Sequence, residues 1–248
     1  MNPAEFANIA CCEADFWWYR GMRDIFFRFL DPYLERRPIA RALEAGCGTG
    51  YFSRLLQTER GWPIVPVDIS WDGLTHARRM GVERAVQADI CSLPFASASF
   101  DLVLSVDVLP HLPQDVERRA ASEFARVLAP GGLVAIRAAA LDILRSRHSA
   151  FAYERQRFTR RRMVEMAESA GFRVLRCTYV NSLLLPVALA KFRLWEPLLR
   201  RPASSGIQPA PAWLDGMLHA ALALEARWVG AGLGFPAGQS LLLVGEKR

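Results

Sequence analysis

The stretch from Ala42 to Gly50, Ala-Leu-Glu-Ala-Gly-Cys-Gly-Thr-Gly, leaves little choice of local structure. A short apolar run carries an acid and then meets three glycines alternating with small residues. Tyr51-Phe-Ser-Arg-Leu-Leu56 follows with apolar residues at helical spacing. The stretch reads as a strand over 40–46, a tight turn, and a helix over 49–59. Glycine lets the backbone turn through conformations closed to other residues and lets a ligand approach without interference from a Cβ. The spacing is selective. Dinucleotide sites use G-x-G-x-x-G, with the pyrophosphate on the helix N-terminus. Here the order is E-x-G-x-G-x-G, and Glu44 in front of the glycines repels a pyrophosphate but suits a ligand carrying an ammonium group.

The rest of the chain alternates in the same way. Strands are expected at 62–68, 84–89, 100–106, 133–137, 172–180 and 240–245. Helices are expected over 14–30, closed by Pro32 and Pro38, then over 71–80, 114–128 and 160–170. Thr159 is the expected N-cap of the last of these and Gly171 its C-terminal stop. Strands alternating with helices imply an α/β fold with a largely parallel sheet covered on both faces. About sixty residues separate the last two strands. A structureless loop of that length is unfavourable, so two helices, 183–200 and 212–231, are expected there, joined by a turn over 201–206. The chain divides into an N-terminal helical cap (1–38), a core (39–180), a helical insertion or lid (181–238) and a last core strand (239–248).

At 248 residues with 52% apolar content, the chain can build one sizeable core. It has no uninterrupted apolar run of about twenty residues, so no membrane-spanning helix is expected. No secretory leader is legible. The five cysteines have no metal-ligand spacing and read as reduced thiols of a cytoplasmic protein. The net charge of +6 is spread over arginine pairs (36–37, 78–79, 118–119, 200–201) and one triplet, Arg160-Arg161-Arg162. Scattered pairs suit a solvated surface better than a nucleic-acid footprint. The triplet reads as solvated, or as a seat for a phosphate or carboxylate on a substrate.

Glu44 to Gly50 resembles motif I of the class I S-adenosylmethionine methyltransferases, and the resemblance extends over nearly the whole chain. It implies a Rossmann-like sheet of seven strands, mostly parallel, with the last antiparallel. It also implies S-adenosyl-L-methionine as cofactor and S-adenosyl-L-homocysteine as product. In open α/β sheets ligands sit at the carboxyl ends of the strands, and the resemblance assigns positions there in order. Glu44, Gly46, Cys47, Gly48 and Gly50 follow the first strand. Asp68 accepts from the ribose hydroxyls, with Ile69 beside it. Asp89, in Ala88-Asp-Ile-Cys-Ser-Leu-Pro-Phe95, takes the adenine amino group, and Ile90 gives a backbone contact. Ser105, Val106 and Leu109 face the methionyl part and the sulfonium.

Further segments resemble a bacterial type 11 subgroup. Phe16-Trp-Trp-Tyr-Arg-Gly-Met-Arg23 is similar to its H-W-W-F-x-G-R-R, with Phe16 for the His and Met22 for one Arg. Val106-Asp-Val-Leu-Pro-His111 is similar to D-V-L-E-H, Arg157-Phe-Thr159 to R-Y-T, and Gly238-Gln-Ser-Leu-Leu242 to the lead-in of the last strand. The resemblance makes the aromatic helix a cap on the cofactor, with Trp18 over it and Arg20 or Arg23 on its methionine carboxylate. A packed helix with an apolar stripe is the plainer reading. Pro110 removes a carboxylate from the E-x-x-E-H metal site of some relatives, so no metal is expected. The N/D-P-P-Y/F/W motif of nucleic-acid N-methyltransferases is absent, so no nucleic-acid partner is expected.

Methyl transfer needs mainly proximity, alignment and exclusion of water. A base is required only where the acceptor keeps its proton. His111 is the first candidate, with an ordinary pKa of about 6.5; it also reads as a packing or capping histidine. His148 and Tyr153 stand in a segment after the fifth strand that could cover the site. The expected reaction is methylation of an O or N atom of a hydrophobic or amphipathic small molecule, a natural-product or lipid-linked intermediate. A peptide or protein methyltransferase and a cofactor-binding protein without transfer are the alternatives. The apolar, aromatic and basic insertion reads as a lid, a homodimer contact, or a helix resting peripherally on a membrane.

Overall fold

The computed structural model describes residues 1–35, 37–199, 202–207 and 211–248. Arg36, Arg200 and Arg201, which the basic pairs include, lie outside the described residues, as does the start of the expected 201–206 turn.

In chain order the elements are α1 (Pro3–Cys12), α2 (Trp17–Leu34), β1 (Ala42–Ala45), α3 (Tyr51–Arg60), β2 (Ile64–Asp68), α4 (Trp71–Arg79), β3 (Val86–Gln87), β4 (Phe100–Val106), α5 (Val116–Val127), β5 (Leu128–Ala139), α6 (Arg147–Phe151), α7 (Arg160–Ser169), β6 (Phe172–Val180), α8 (Leu185–Ala190), α9 (Glu196–Leu199), α10 (Ala212–Gly230) and β7 (Ser240–Lys247). A π-helical turn over Lys191–Trp195 joins α8 to α9. The seven strands form one sheet in the order β3-β2-β1-β4-β5-β7-β6. The pairings β1–β2, β1–β4, β2–β3 and β4–β5 are parallel, and β7 is antiparallel to both β5 and β6. The order reverses between β1 and β4, so their carboxyl ends frame the crevice where such sheets take ligands.

Two apolar layers cover the sheet. On one face α5 and α7 bury Phe124, Met163 and Met166 against Leu43, Val103, Ile136 and Leu243. On the other, α2 buries Met22, Ile25, Phe26 and Phe29, and α10 buries Leu222, Ala226 and Val229, against Leu102, Leu104, Leu242 and Val244. Each such side chain stabilises the fold by about 1.5–3 kcal/mol. The cap and the insertion therefore each supply one helix to the core layer itself. Gly21 explains how they meet: a Cβ there would lie 2.4 Å from Leu222 Cδ1, so only glycine lets α2 and α10 cross this closely.

Three elements differ from expectation. The strand expected over 84–89 pairs over only two residues, because Asp89 turns back to accept from the Cys91 N–H at 2.8 Å and so competes with the ladder. Pro32 stands inside α2, which continues to Leu34; its lost hydrogen bond falls in the last turn, where it costs least. Helix α1 was not anticipated, although its start is written in the sequence. The Asn2 side chain accepts from the Ala4 N–H at 3.1 Å, Pro3 occupies the first turn, and Glu5 adds an acid there.

Candidate functional site

The glycine turn links β1 to α3, and its three glycines have separate duties. All have positive φ, at 94°, 52° and 78° for Gly46, Gly48 and Gly50. A Cβ on Gly46 would lie 2.2 Å from Val108 Cγ2, and one on Gly50 2.5 Å from the Ala77 Cβ. Gly46 thus admits the segment after β4, and Gly50 admits α4. Only Gly48 has an open face, its nearest neighbour being Phe6 of α1 at 3.8 Å. The ligand's close approach belongs to Gly48. Cys47 is buried, its N–H bonded to Val67 O at 2.8 Å, and burial pushes its thiol far up.

Two acids hold the turn in place. Asp68 ends β2 and accepts from the Gly48 N–H and the Ser70 N–H, both at 2.8 Å. Each carboxylate oxygen keeps a lone pair for a ribose hydroxyl. Burial raises the Asp68 pKa, and those backbone bonds pull against the rise. Ile69 beside it is exposed and Ile90 buried, while Asp89 is exposed at the rim. Glu44 is buried under the turn and accepts from the Ser53 hydroxyl; burial pushes it up to about 8. That bond braces the start of α3 through one carboxylate oxygen, Oε2.

A further acid, Glu13, stands between α1 and α2. It is 7% exposed. The Thr49 hydroxyl, inside the glycine turn, donates to its Oε2 at 2.6 Å, and its Oε1 has no partner. Burial pushes Glu13 up to about 7, with the Thr49 bond acting against it. Tyr19 is half-buried nearby, its phenol pushed upward by loss of water and then by Glu13. Sequence reasoning missed Glu13 because it lies outside every motif. The signal was an acid placed three residues before the aromatic run.

The first turns of α2 face the same end of the sheet. Arg23 Nη1 donates to Tyr51 Oη at 3.0 Å, beside the glycine turn, where a ligand carboxylate would find it. Arg20 is committed elsewhere, in a 2.6 Å ion pair with Asp215 of α10. Of the two arginines expected there, only Arg23 is available. Trp18 packs edge-on against Tyr19, and the Arg137 guanidinium lies 5.1 Å from its ring. Arg137 pairs in turn with Asp107 at 2.5 Å, just past β4.

The segment after β4 carries His111 on a single 3₁₀ turn, Leu109–His111. Its ring is mostly buried, and burial lowers its pKa below the ordinary 6.5. Nδ1 has no partner among the described residues. The segment is pinned from above: Pro110 O accepts from the N–H groups of Arg155 and Gln156 at 2.9 and 3.2 Å. Ser105 is also buried with an unpartnered hydroxyl, and Val106 is half-buried toward α2. Leu109 is fully buried in the opposite apolar layer, so it packs and does not face a cofactor. Tyr153 has φ of 57° and 58% exposure, which turns its phenol to solvent; only its backbone reaches His111. His148 is engaged elsewhere, with Nδ1 accepting from the Gly206 N–H at 3.0 Å and lying 3.6 Å from Glu5 Oε1. Neither Tyr153 nor His148 joins His111 as a second acid–base group. The arginine triplet divides too: Arg162 is tied to Glu117 and Gln156, Arg161 pairs with Glu165, and Arg160 is exposed.

Glu13 Oε1, Ser105 Oγ and His111 Nδ1 are thus buried polar atoms without partners, all at the ligand-binding end of the sheet. Orphans of this kind are uncommon in a finished fold and mark places that await a ligand. A cavity of about 550 Å³ near Arg41, Trp62 and Ile64 opens at the opposite end, where β1 and β2 begin, and is no part of this crevice.

Residues 43–136 match the methyltransferase-domain family. They are a class I, type 11-like methyltransferase domain. A malonyl-[acyl-carrier protein] O-methyltransferase of Enterobacter lignolyticus is 37% identical over 130 residues, 51% of each chain. The O-methyltransferase resE of Aspergillus sclerotiorum is 31% identical over 159 residues, 58% of this chain and 59% of that one. The chain spans about half the length of the first curated relatives it matches. A SAM-dependent methyltransferase from Archaeoglobus fulgidus superposes with a TM-score of 0.58 at 18% identity, covering 95% of this chain and 97% of that one. The fold is therefore the class I methyltransferase fold, and the cofactor of the methyltransferase family is S-adenosyl-L-methionine. The residues present fit such a group: an open glycine face, an acid for ribose, and a free buried carboxylate oxygen for an ammonium.

Proposed function

We propose that the chain transfers the methyl group of S-adenosyl-L-methionine to an O or N atom of a hydrophobic or amphipathic small molecule. A natural-product or lipid-linked intermediate fits best. The observation that carries this reading is the buried, unpartnered Nδ1 of His111, on the turn after β4 whose Val108 packs against Gly46. The O-methyltransferases among the relatives support the choice of atom.

When bound, the cofactor supplies an electrophilic methyl on a sulfonium. The protein's part is to hold and to dry the site. Asp68 would hold the ribose and Asp89 the adenine. Gly48 would leave room for the methionyl chain, Glu13 would take its ammonium and Arg23 its carboxylate. Trp18 and Tyr19 keep water out and offer aromatic faces to a cation. A lowered pKa keeps His111 neutral at working pH, so Nδ1 can take the proton that the acceptor's O–H or N–H loses as its lone pair takes the methyl.

The test pairs methyl-labelled cofactor with a panel of apolar alcohols, phenols, carboxylic acids and amines, read by mass gain of one methyl. Turnover of any apolar acceptor that falls in His111→Ala while cofactor binding persists supports the reading. Methylation of unfolded peptides alone would replace it.

A further inference from the structure

The helices between β6 and β7 carry apolar side chains on faces that nothing covers. On α10, Trp213, Met217, Leu224 and Trp228 recur at helical spacing and are all exposed, Trp213 at 69%. The opposite side of that helix is already in the core, so α10 carries apolar side chains on both its inner and its outer face. Along α8 to α9, Val187, Leu194, Trp195 and Leu198 are exposed, Leu198 at 76%, and neither the π turn nor α9 has a buried residue. Glu225 ties the two stretches together, accepting from the N–H groups of Ser182 and Leu183 at 2.8 and 3.1 Å. Apolar surface on this scale marks an interaction site.

Charge narrows the partner. Every acid on these helices is turned inward. Glu196 accepts from the Arg147 N–H at 2.9 Å, Asp215 pairs with Arg20, and Glu225 is fully buried. The cations face out: Lys191, Arg193 and Arg227 are exposed and have no carboxylate partner among the described residues. The outer surface thus offers leucines, tryptophans and positive charge, without an exposed acid on these helices. Tryptophan and basic residues are the side chains that settle at the headgroup level of a bilayer, with the apolar ones just below. No helix among the described residues is long and apolar enough to cross a membrane.

We propose that the outer face of α8, α9 and α10 docks on an anionic lipid bilayer, with Trp195, Leu198, Trp213 and Met217 in the interface and Lys191, Arg193 and Arg227 at lipid phosphates. Its test reads vesicle partitioning and needs no turnover of a methyl acceptor.

The full chain is sedimented with vesicles of phosphatidylcholine alone and of phosphatidylcholine with phosphatidylglycerol, at low and at high salt. Binding is expected on the anionic vesicles and is weakened by salt. Replacing the three cations, Lys191→Gln with Arg193→Gln and Arg227→Gln, lowers partitioning by about a hundredfold, since each basic residue at the surface contributes about a fivefold factor. Trp195→Ser with Trp213→Ser lowers it on both vesicles. Calorimetric titration with S-adenosylhomocysteine and circular dichroism confirm that each variant is folded, and the charge variant stands as the test should the tryptophan variant fail to fold. No sedimentation with anionic vesicles overturns the proposal. So does equal binding to neutral and anionic vesicles that the charge variant leaves unchanged, or light scattering that finds a dimer which Trp195→Ser with Trp213→Ser dissolves; that last result would assign the face to a second copy.

Discussion

Glu13→Gln separates a residue held for a ligand from one held for the fold. The side chains have the same shape, and glutamine's amide oxygen can still accept from the Thr49 hydroxyl. What changes is charge. Glu13 is raised from the ordinary 4.5 to about 7 by burial, so the folded protein binds its proton more tightly than the unfolded chain does. Stability therefore falls as pH rises from about 4.5 through about 7, in the opposite sense to a salt-bridged acid. At about 1.4 kcal/mol for each pH unit, ionising this buried group costs the free protein at most about 3.5 kcal/mol above pH 7. Gln removes that cost. At pH 8 the ligand-free variant is expected to melt several degrees higher than the parent, since about 1 kcal/mol moves the midpoint of a domain this size by roughly 2–4 °C. The difference should vanish only below about pH 4, where Glu13 is protonated in the folded and the unfolded chain alike. Ligand binding should move the other way. A charge-assisted hydrogen bond to a buried ammonium contributes about 1.5–3 kcal/mol, so S-adenosylhomocysteine should bind about 10- to 100-fold more weakly, by calorimetry at pH 8. Methylthioadenosine, which lacks the amino-acid end, should bind both proteins alike. A variant that melts lower than the parent at pH 8, or that binds S-adenosylhomocysteine equally well, refutes the assignment of Glu13 to the ammonium.

Other outcomes follow from the same geometry. Gly46→Ala should cost the fold more than 2 kcal/mol, because the added Cβ meets Val108 at 2.2 Å and sits at positive φ, whereas Gly48→Ala should cost only about 1 kcal/mol of strain yet abolish cofactor binding; thermal melts and calorimetry together distinguish the two. Asp68→Ala removes the acceptor of both the Gly48 and Ser70 N–H groups, and S-adenosylhomocysteine affinity should fall by at least about 10-fold; unchanged affinity would remove Asp68 from the site. His111→Ala should lower kcat on a protonated acceptor by about 10²–10⁴ with little change in cofactor affinity. The parent's kcat should decline only as pH drops below 6.5, because burial lowers the His111 pKa.

The sheet was legible because its signals are local and repeated. The first two strands end in Ala45 and Asp68 shortly before a helix period begins, and the glycine turn fixes the first of these joints. The reversed last strand came with the family resemblance, and the antiparallel pairing of β7 with β5 and β6 bears it out. The site was half legible. Asp68 and Gly48 stand where motif spacing puts them, because their positions depend on their own strand and turn. Arg20 and His148 do not, because their partners, Asp215 and Gly206, lie far along the chain, and Tyr153 does not, because its own backbone at positive φ turns the phenol outward. Glu13 was silent for the same reason, since nothing in its neighbourhood announces that Thr49 will be its partner, 36 residues on.

The crossing of α2 and α10 at Gly21 has a consequence for how the protein is made. The two helices that share that layer are about 190 residues apart, and β7, which fills the gap between β5 and β6, comes later still. At about 5–20 residues per second, a ribosome exposes the apolar face of α2 for roughly 10–40 seconds before its covering helix has been synthesised. Until then the place between β5 and β6 in the sheet stays empty. Order can spread through β1–β4 by local, parallel pairings, but the layer over them closes only when the far end of the chain arrives. Nascent chains of this protein should therefore be clients of chaperones that shield apolar helices, and synthesis slowed between α2 and α10 should lower the yield of folded protein without changing its final stability.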